Sequence, residues 1–203
     1  MKGLYLVTPD WDDTDRLLEV TEAALQGGVA LLQYRHKTAD ASLRETQARA
    51  LLALCRRFGR QFIVNDHVEL CLTIGADGVH VGGTDASVAA VRAQVGPVLI
   101  VGASCYGDLA LARAAQAAGA SYVAYGGFYP SRVKKYPVTT KTDLLAVSRA
   151  QILLPTVVIG GMTPENSASL VAAGADMVAA ISSVYLAENP KQAAASFAAL
   201  FET

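Results

Sequence analysis

At 203 residues, 52% of them apolar, the chain is long enough to enclose one sizeable core and short for two. A net charge of −1, with lysines and arginines spread along the chain, excludes the concentrated basic stripe of a nucleic-acid groove. Three scattered cysteines (Cys55, Cys71, Cys105) lack metal-ligand spacing, and apolar runs such as Pro155 to Ile159 are far too short to span a bilayer, so a soluble protein of the reducing cytoplasm is expected.

Short β-branched or apolar runs alternate with Ala/Leu-rich stretches of helical period. In chain order the expected strands are Leu4–Thr8, Ala30–Arg35, Phe62–Asn65, Gly78–Val81, Val98–Ser104, Tyr122–Gly126, Thr156–Gly160 and Met177–Ser182. Eight such runs, each followed by a helical pattern, predict a parallel sheet buried on both faces. A weak repeat sharpens this. Gly27-Gly28-Val29-Ala30-Leu31, Gly75-Ala76-Asp77-Gly78-Val79, Gly119-Ala120-Ser121-Tyr122-Val123 and Gly174-Ala175-Asp176-Met177-Val178 each end a helix at glycine and then start a strand. They recur roughly every 50 residues, about two βα units, so four repeats make eight strands. That favours one compact (β/α)8 barrel over residues 1–203 against an open doubly wound sheet. The one long irregular segment, Gly126 to about Thr142, holds Arg132, Lys134, Lys135 and Lys141, and is long enough to be functional.

Barrel chemistry sits at the carboxyl ends of the strands. On strand 2, Gln33, Arg35 and Lys37 are spaced by two and share one face if the extended conformation continues, an arrangement suited to an anion. Strand 3 ends in Asn65-Asp66 and strand 4 leads through Gly82-Gly83-Thr84 to Asp85. Asp66, with Glu69 three residues on, also resembles a capping box, and Asp85 could equally cap a helix. On neighbouring strands, however, the two carboxylates can reach one point, as a magnesium ion bound to a diphosphate requires. Ser104 ends strand 5, with a helix cap as its alternative role. Gly160-Gly161 and Ile181-Ser182-Ser183 end strands 7 and 8, the recurrent phosphate site of such barrels, with Thr163-Pro164 suited to open a helix. No phosphate-loop motif, dinucleotide fingerprint, metal-spaced histidine set or nucleophile–base pair is present. Two anion sites, a magnesium site and no nucleophile point to a diphosphate leaving group and a second phosphorylated reactant.

Along nearly its whole length the chain resembles the thiamine phosphate synthase family. The resemblance is carried in order by Tyr5-Leu6-Val7-Thr8, Gln33-Tyr34-Arg35-His36-Lys37, Phe62-Ile63-Val64-Asn65-Asp66, Gly75 to Gly82, Gly102-Ala103-Ser104, Phe128-Tyr129-Pro130-Ser131, Lys134, Ile159-Gly160-Gly161 and Ile181-Ser182. It implies a condensation of aminomethylpyrimidine diphosphate with hydroxyethylthiazole phosphate to thiamine phosphate and diphosphate. It also implies that Gln33, Tyr34, Arg35, His36, Lys37, Asn65, Ser104 and Lys134 contact the pyrimidine diphosphate. Asp66 and Asp85 would hold Mg2+, and Ser131, Arg132, Val133, Gly161, Ile181 and Ser182 would bind the thiazole phosphate. The implied mechanism is dissociative, with no nucleophile or general base on the protein. The chain departs from the family pattern at Ser131-Arg132-Val133, where T-x-T is usual, at Tyr106, where histidine is frequent, and at Gly83-Thr84. A thiazole tautomerase on the same barrel is the nearest rival; the strand 2 to 4 cluster argues against it. A non-catalytic thiamine-precursor sensor is the third reading.

Overall fold

A computed structural model describes residues 1–82, 87–130 and 140–202. Its strands are β1 (Gly3–Val7), β2 (Val29–Tyr34), β3 (Gln61–Asn65), β4 (Gly78–Val81), β5 (Ile100–Tyr106), β6 (Tyr122–Gly126), β7 (Thr156–Ile159) and β8 (Met177–Ala180). All pair in parallel in chain order, and β8 pairs back onto β1, closing the barrel. The helices between them are α1 (Thr14–Gln26), α2 (Ala41–Arg57), α3 (Val68–Ile74), α4 (Val88–Val95), α5 (Leu109–Ala117), α6 (Asp143–Arg149) and α7 (Pro164–Ala172). After β8 come a single turn, α8 (Ser182–Tyr185), and α9 (Pro190–Ala198). No helix among the described residues is long and apolar enough to cross a membrane.

Local sequence accounts for the helix starts. Asp13, Asp40, Ser87, Asp108, Thr163 and Asn189 each accept a backbone N–H from the first turn, satisfying donors that have no partner inside a helix. At the helix ends Gly75, Gly119 and Gly174 take positive φ, as the repeat predicts. The first repeat differs. Gly28, not Gly27, is left-handed; Gly27 is required instead because α9 crosses against it, so that a Cβ would lie 2.2 Å from the Lys191 carbonyl oxygen.

Two expected strands shift. The run over 98–104 starts later and continues to Tyr106, because Val98 lies in a turn and is almost fully exposed. The run over 177–182 stops at Ala180, where Ile181 becomes the N-cap of α8. The β-period of two divides the core. Leu4, Leu6, Leu32, Tyr34, Phe62 and Val64 face the helices, whereas Tyr5, Val7, Leu31, Ile63, Tyr122, Val157 and Met177 fill the barrel. Polar residues at the mouth are therefore the interior series continued beyond the apolar layers.

Candidate active site at the carboxyl ends of the strands

The tail of β2 is held extended from β1. Thr8, fully buried, donates through Oγ1 to the Arg35 carbonyl and accepts the Arg35 N–H, both at 2.8 Å. Asp10 accepts Arg35 Nη1 at 3.1 Å and the Lys37 N–H at 2.8 Å. The side chains of Gln33, Arg35 and Lys37 reach Tyr5, Asp10 and Asp66 respectively. The side chains of Tyr34 and His36 are engaged elsewhere, so any contact of theirs with a ligand would come from the backbone. Alternation turns Tyr34 outward, where its hydroxyl donates to Gln47 Oε1 at 2.9 Å. His36 is buried, with Nδ1 accepting the Ala39 N–H at 3.0 Å and Nε2 3.0 Å from Asp12 without hydrogen-bond alignment.

Asp66 does not act as a helix cap. The N-cap of α3 is His67, which makes no side-chain capping bond, and Asp66 itself sits at φ 63 with its N–H on the His80 carbonyl. Its Oδ2 accepts from Asn65 Nδ2 at 2.6 Å and pairs with the Lys37 ammonium. The side chain of Asp66 is largely shielded and that of Lys37 half exposed, so the pair lies at the rim. Asp85 lies outside the described residues, but the cap of α4 is Ser87. Among the described residues no group of three His, Cys, Asp or Glu side chains converges. A metal held by protein alone does not fit them; one sharing a carboxylate with diphosphate oxygens and water does.

Ser104 is no cap either, since β5 continues past it and Asp108 caps α5. Its hydroxyl ends a buried chain of side chains. Gln33 Nε2 donates to Tyr5 Oη (2.6 Å), Tyr5 Oη meets Tyr122 Oη (2.6 Å), Tyr122 Oη meets His80 Nδ1 (2.8 Å), and His80 Nε2 meets Ser104 Oγ (2.9 Å). His80, Gly102 and Tyr122 occupy one row of the sheet register. Gly102 makes the row possible: a Cβ there would lie 2.1 Å from Tyr122 Cζ and 2.6 Å from His80 Nδ1. Burial raises both tyrosine hydroxyls well above their ordinary range, so they stay protonated. Thr8, Asp10, Tyr5, His80 and Tyr122 were not singled out from sequence. The period-two polar residue His80 in Gly78–Val81 was the available signal.

At the opposite side of the mouth, Gly161 (φ 64) packs against the loop after β6, and a Cβ there would lie 2.2 Å from the Pro130 carbonyl oxygen. Asn166 completes a capping box with Thr163 and also donates to the Gly161 carbonyl at 2.9 Å. Thr140 donates to the Gly126 carbonyl and its N–H to Gly127, so the loop after β6 returns to the barrel where it left. The expected contacts Ser131, Arg132, Val133 and Lys134 lie outside the described residues. Ile181 caps α8, its carbonyl accepting the N–H groups of Val184 and Tyr185, and Ser182 is the first residue of that helix. Gly161→Val should therefore displace the Tyr129–Pro130 backbone as well as crowd the site. Calorimetry is expected to show thiazole-phosphate affinity reduced by about tenfold or more, with pyrimidine-diphosphate affinity nearly intact. Equal loss of both would remove the division into two sites.

The three cysteines are not activated thiols. Cys55, Cys71 and Cys105 are buried, and desolvation pushes their thiols up to about 12, 11 and 12.

The family model described as thiamine monophosphate synthase matches residues 4–184. A thiamine-phosphate synthase of Janthinobacterium sp. (strain Marseille) is 69% identical over 201 residues, covering 99% of this chain and 97% of that one. One from Thiobacillus denitrificans is 51% identical over 199 residues, covering 98% and 94%. Among solved structures, a thiamine phosphate pyrophosphorylase from Pyrococcus furiosus superposes with a TM-score of 0.87 at 29% identity, covering 98% and 95%. A 3-hexulose-6-phosphate synthase shares the barrel at a TM-score of 0.73 and 20% identity, covering 99% of this chain and 100% of that one, a likeness of fold alone.

Proposed function

Because the chain belongs to the thiamine monophosphate synthase family and is a transferase that forms thiamine phosphate, we propose that the two ends of its barrel mouth divide the work of a dissociative condensation. The pyrimidine diphosphate lies along the ends of β2 to β5, within reach of Gln33, Arg35, Lys37, Asn65, Asp66 and Ser104. The thiazole phosphate lies at the ends of β7 and β8, against Gly161, Ile181 and Ser182, with Ser131, Arg132 and Val133 from the loop after β6. The observation that carries this reading is the pairing of Lys37 with Asp66 and of Arg35 with Asp10, whose carboxylate also accepts the Lys37 N–H, so that two cations and two carboxylates gather at a single rim.

In the first step the methylene carbon–oxygen bond breaks and its electron pair leaves with diphosphate. The electron-rich aminopyrimidine ring shares the positive charge left on the methylene carbon. In the second, the lone pair of the thiazole nitrogen forms the carbon–nitrogen bond. Arg35 and Lys37 offset charge on the departing diphosphate, and the two binding ends hold the reactants in line. Magnesium, when bound, supplies further positive charge there, and Asp66 and Asp85 are the residues to hold it. Replacing the 2-methyl group of the pyrimidine by trifluoromethyl withdraws electrons from the ring. The coupling step should slow by orders of magnitude while binding changes little. An unchanged rate of that step would exclude cationic character at the methylene carbon.

Lys134 is assigned to the diphosphate on its place in the sequence. Lys134→Ala should lower turnover about a hundredfold with a smaller change in KM, since the interaction strengthens as charge moves onto the leaving group. Lys135→Ala should cost less than about threefold. Similar small effects for both in steady-state assays would remove Lys134 from the site.

A further inference from the structure

The buried chain of side chains crossing the barrel has a direction that all of its members share. Each tyrosine hydroxyl has a single proton to donate, and a neutral imidazole donates from one nitrogen and accepts at the other. With the Gln33 amide nitrogen turned to Tyr5, Tyr5 must pass its proton toward Tyr122, and Tyr122 toward His80 Nδ1. His80 then carries its proton on Nε2 and donates to Ser104, leaving the serine proton free to donate toward the mouth. Turning the Gln33 amide over reverses every bond. Tyr5 then donates to Gln33 Oε1, His80 carries its proton on Nδ1, and Ser104 donates to His80 and offers the mouth only lone pairs. The number of protons is the same in both directions: the hydroxyls turn about their C–O bonds, and the imidazole gives up its Nε2 proton to solvent and regains one on Nδ1.

We infer that Gln33, Tyr5, Tyr122, His80 and Ser104 form one hydrogen-bond relay that couples the donor or acceptor character of Gln33 on β2 to that of Ser104 on β5, with His80 and Tyr122 as positioning residues. With the Gln33 amide nitrogen on Tyr5, Gln33 keeps its carbonyl oxygen as an acceptor and Ser104 keeps its proton to donate. Reversed, Gln33 offers a donor and Ser104 an acceptor. The relay so presents complementary ends, never two donors from its neutral form. An aminopyrimidine also presents a donor, its amino group, and an acceptor, a ring nitrogen. The corresponding oxo-pyrimidine exchanges the two, with a carbonyl in place of the amino group and a protonated ring nitrogen. The direction seen here matches the amino ring, and the oxo ring is matched only after every bond reverses together; selectivity for the amino ring is then the cost of that reversal, a consequence that rests on the pyrimidine site proposed above.

Three features of the fold support a built relay rather than chance contacts. Its members come from β1, β2, β4, β5 and β6, and every link is 2.6 to 2.9 Å. The His80 and Tyr122 rings stack, with 21° between their planes. A glycine at 102 leaves the space they occupy.

The test reads the imidazole directly. In 15N-histidine-labelled protein without ligand, His80, assigned by the resonance lost in His80→Gln, should show the Nε2–H tautomer. Gln33→Glu places an acceptor at the head of the relay and should convert His80, three hydrogen bonds away, to the Nδ1–H tautomer. Adding Tyr5→Phe to Gln33→Glu should cut the relay and restore Nε2–H. Tyr122→Phe should likewise make the His80 resonances indifferent to residue 33. A His80 tautomer that is the same in wild type and Gln33→Glu, or doubly protonated in both, overturns the relay. Calorimetry with the pyrimidine diphosphate and its oxo analogue reads the ligand contacts separately. Wild type should prefer the amino form, and Tyr122→Phe should lose about tenfold or more of that preference. A relay that reverses as described while this preference is absent would remove Gln33 and Ser104 from the pyrimidine site and leave the coupling between them standing.

Discussion

Asp66→Asn is expected to lower turnover by at least about a hundredfold and to raise the magnesium concentration needed for half-maximal rate. Asparagine tolerates the left-handed backbone at φ 63 almost as well as aspartate, so the substitution removes charge without forcing the turn between β3 and α3. The lost pairing with Lys37 is at the rim, and its effect on stability should stay below about 1 kcal/mol. Unfolding midpoint and activity therefore separate in this variant. Asp85→Asn should resemble it, and the double variant should be little worse than either, because two ligands of one ion act as a unit. Steady-state rates across a magnesium titration would check both points. Near-normal activity of Asp66→Asn at limiting magnesium would leave the carboxylate as a partner of Lys37 and Asn65 only.

Gly102→Ala should do the opposite, damaging the fold first and the chemistry through it. The new methyl would overlap the Tyr122 ring and crowd His80, and neither neighbour is a flexible side chain at the surface. Over-packing of this kind costs about 1–3 kcal/mol, and each buried hydrogen bond broken as the rings shift adds about 1–3 kcal/mol. A loss of about 3 kcal/mol lowers the thermal midpoint of a chain this size by roughly 6–12 °C. Tyr122→Leu in the same chain should recover part of the midpoint by making room, but not the activity, because the hydroxyl that links Tyr5 to His80 is gone. Calorimetric melting with parallel assays would check this. An unchanged midpoint in Gly102→Ala would mean the rings do not sit against β5.

The barrel was legible because its signal is local and repeated: apolar runs of strand length, helical stretches between them, and glycine at each return. The shifted ends had causes that periodicity does not carry. Val98 is apolar yet exposed in a turn, and Ile181 continues an apolar run while opening a helix. At the site, Arg35 and Lys37 could be placed together because β2 alternates. The same alternation separates Tyr34 and His36 from them, whereas the resemblance treats residues 33 to 37 as one segment. Asp66 and Ser104 each had a helix cap as the rival reading, the favoured one for Ser104 taken alone, and only backbone geometry, with His67 at the N-cap of α3 and Asp108 capping α5, decides against it. The relay could not be read at all. Its five members are spread from Tyr5 to Tyr122 in sequence, and their meeting depends on barrel closure and on the space above Gly102.

The most direct test of the whole account is to incubate the purified protein with the pyrimidine diphosphate, the thiazole phosphate and magnesium, and to quantify products. Thiamine phosphate and diphosphate should appear in equal amounts, only when both substrates are present, and should stop when magnesium is chelated. Isomerised thiazole phosphate with no coupled product, or tight binding of both precursors with no turnover, would contradict it.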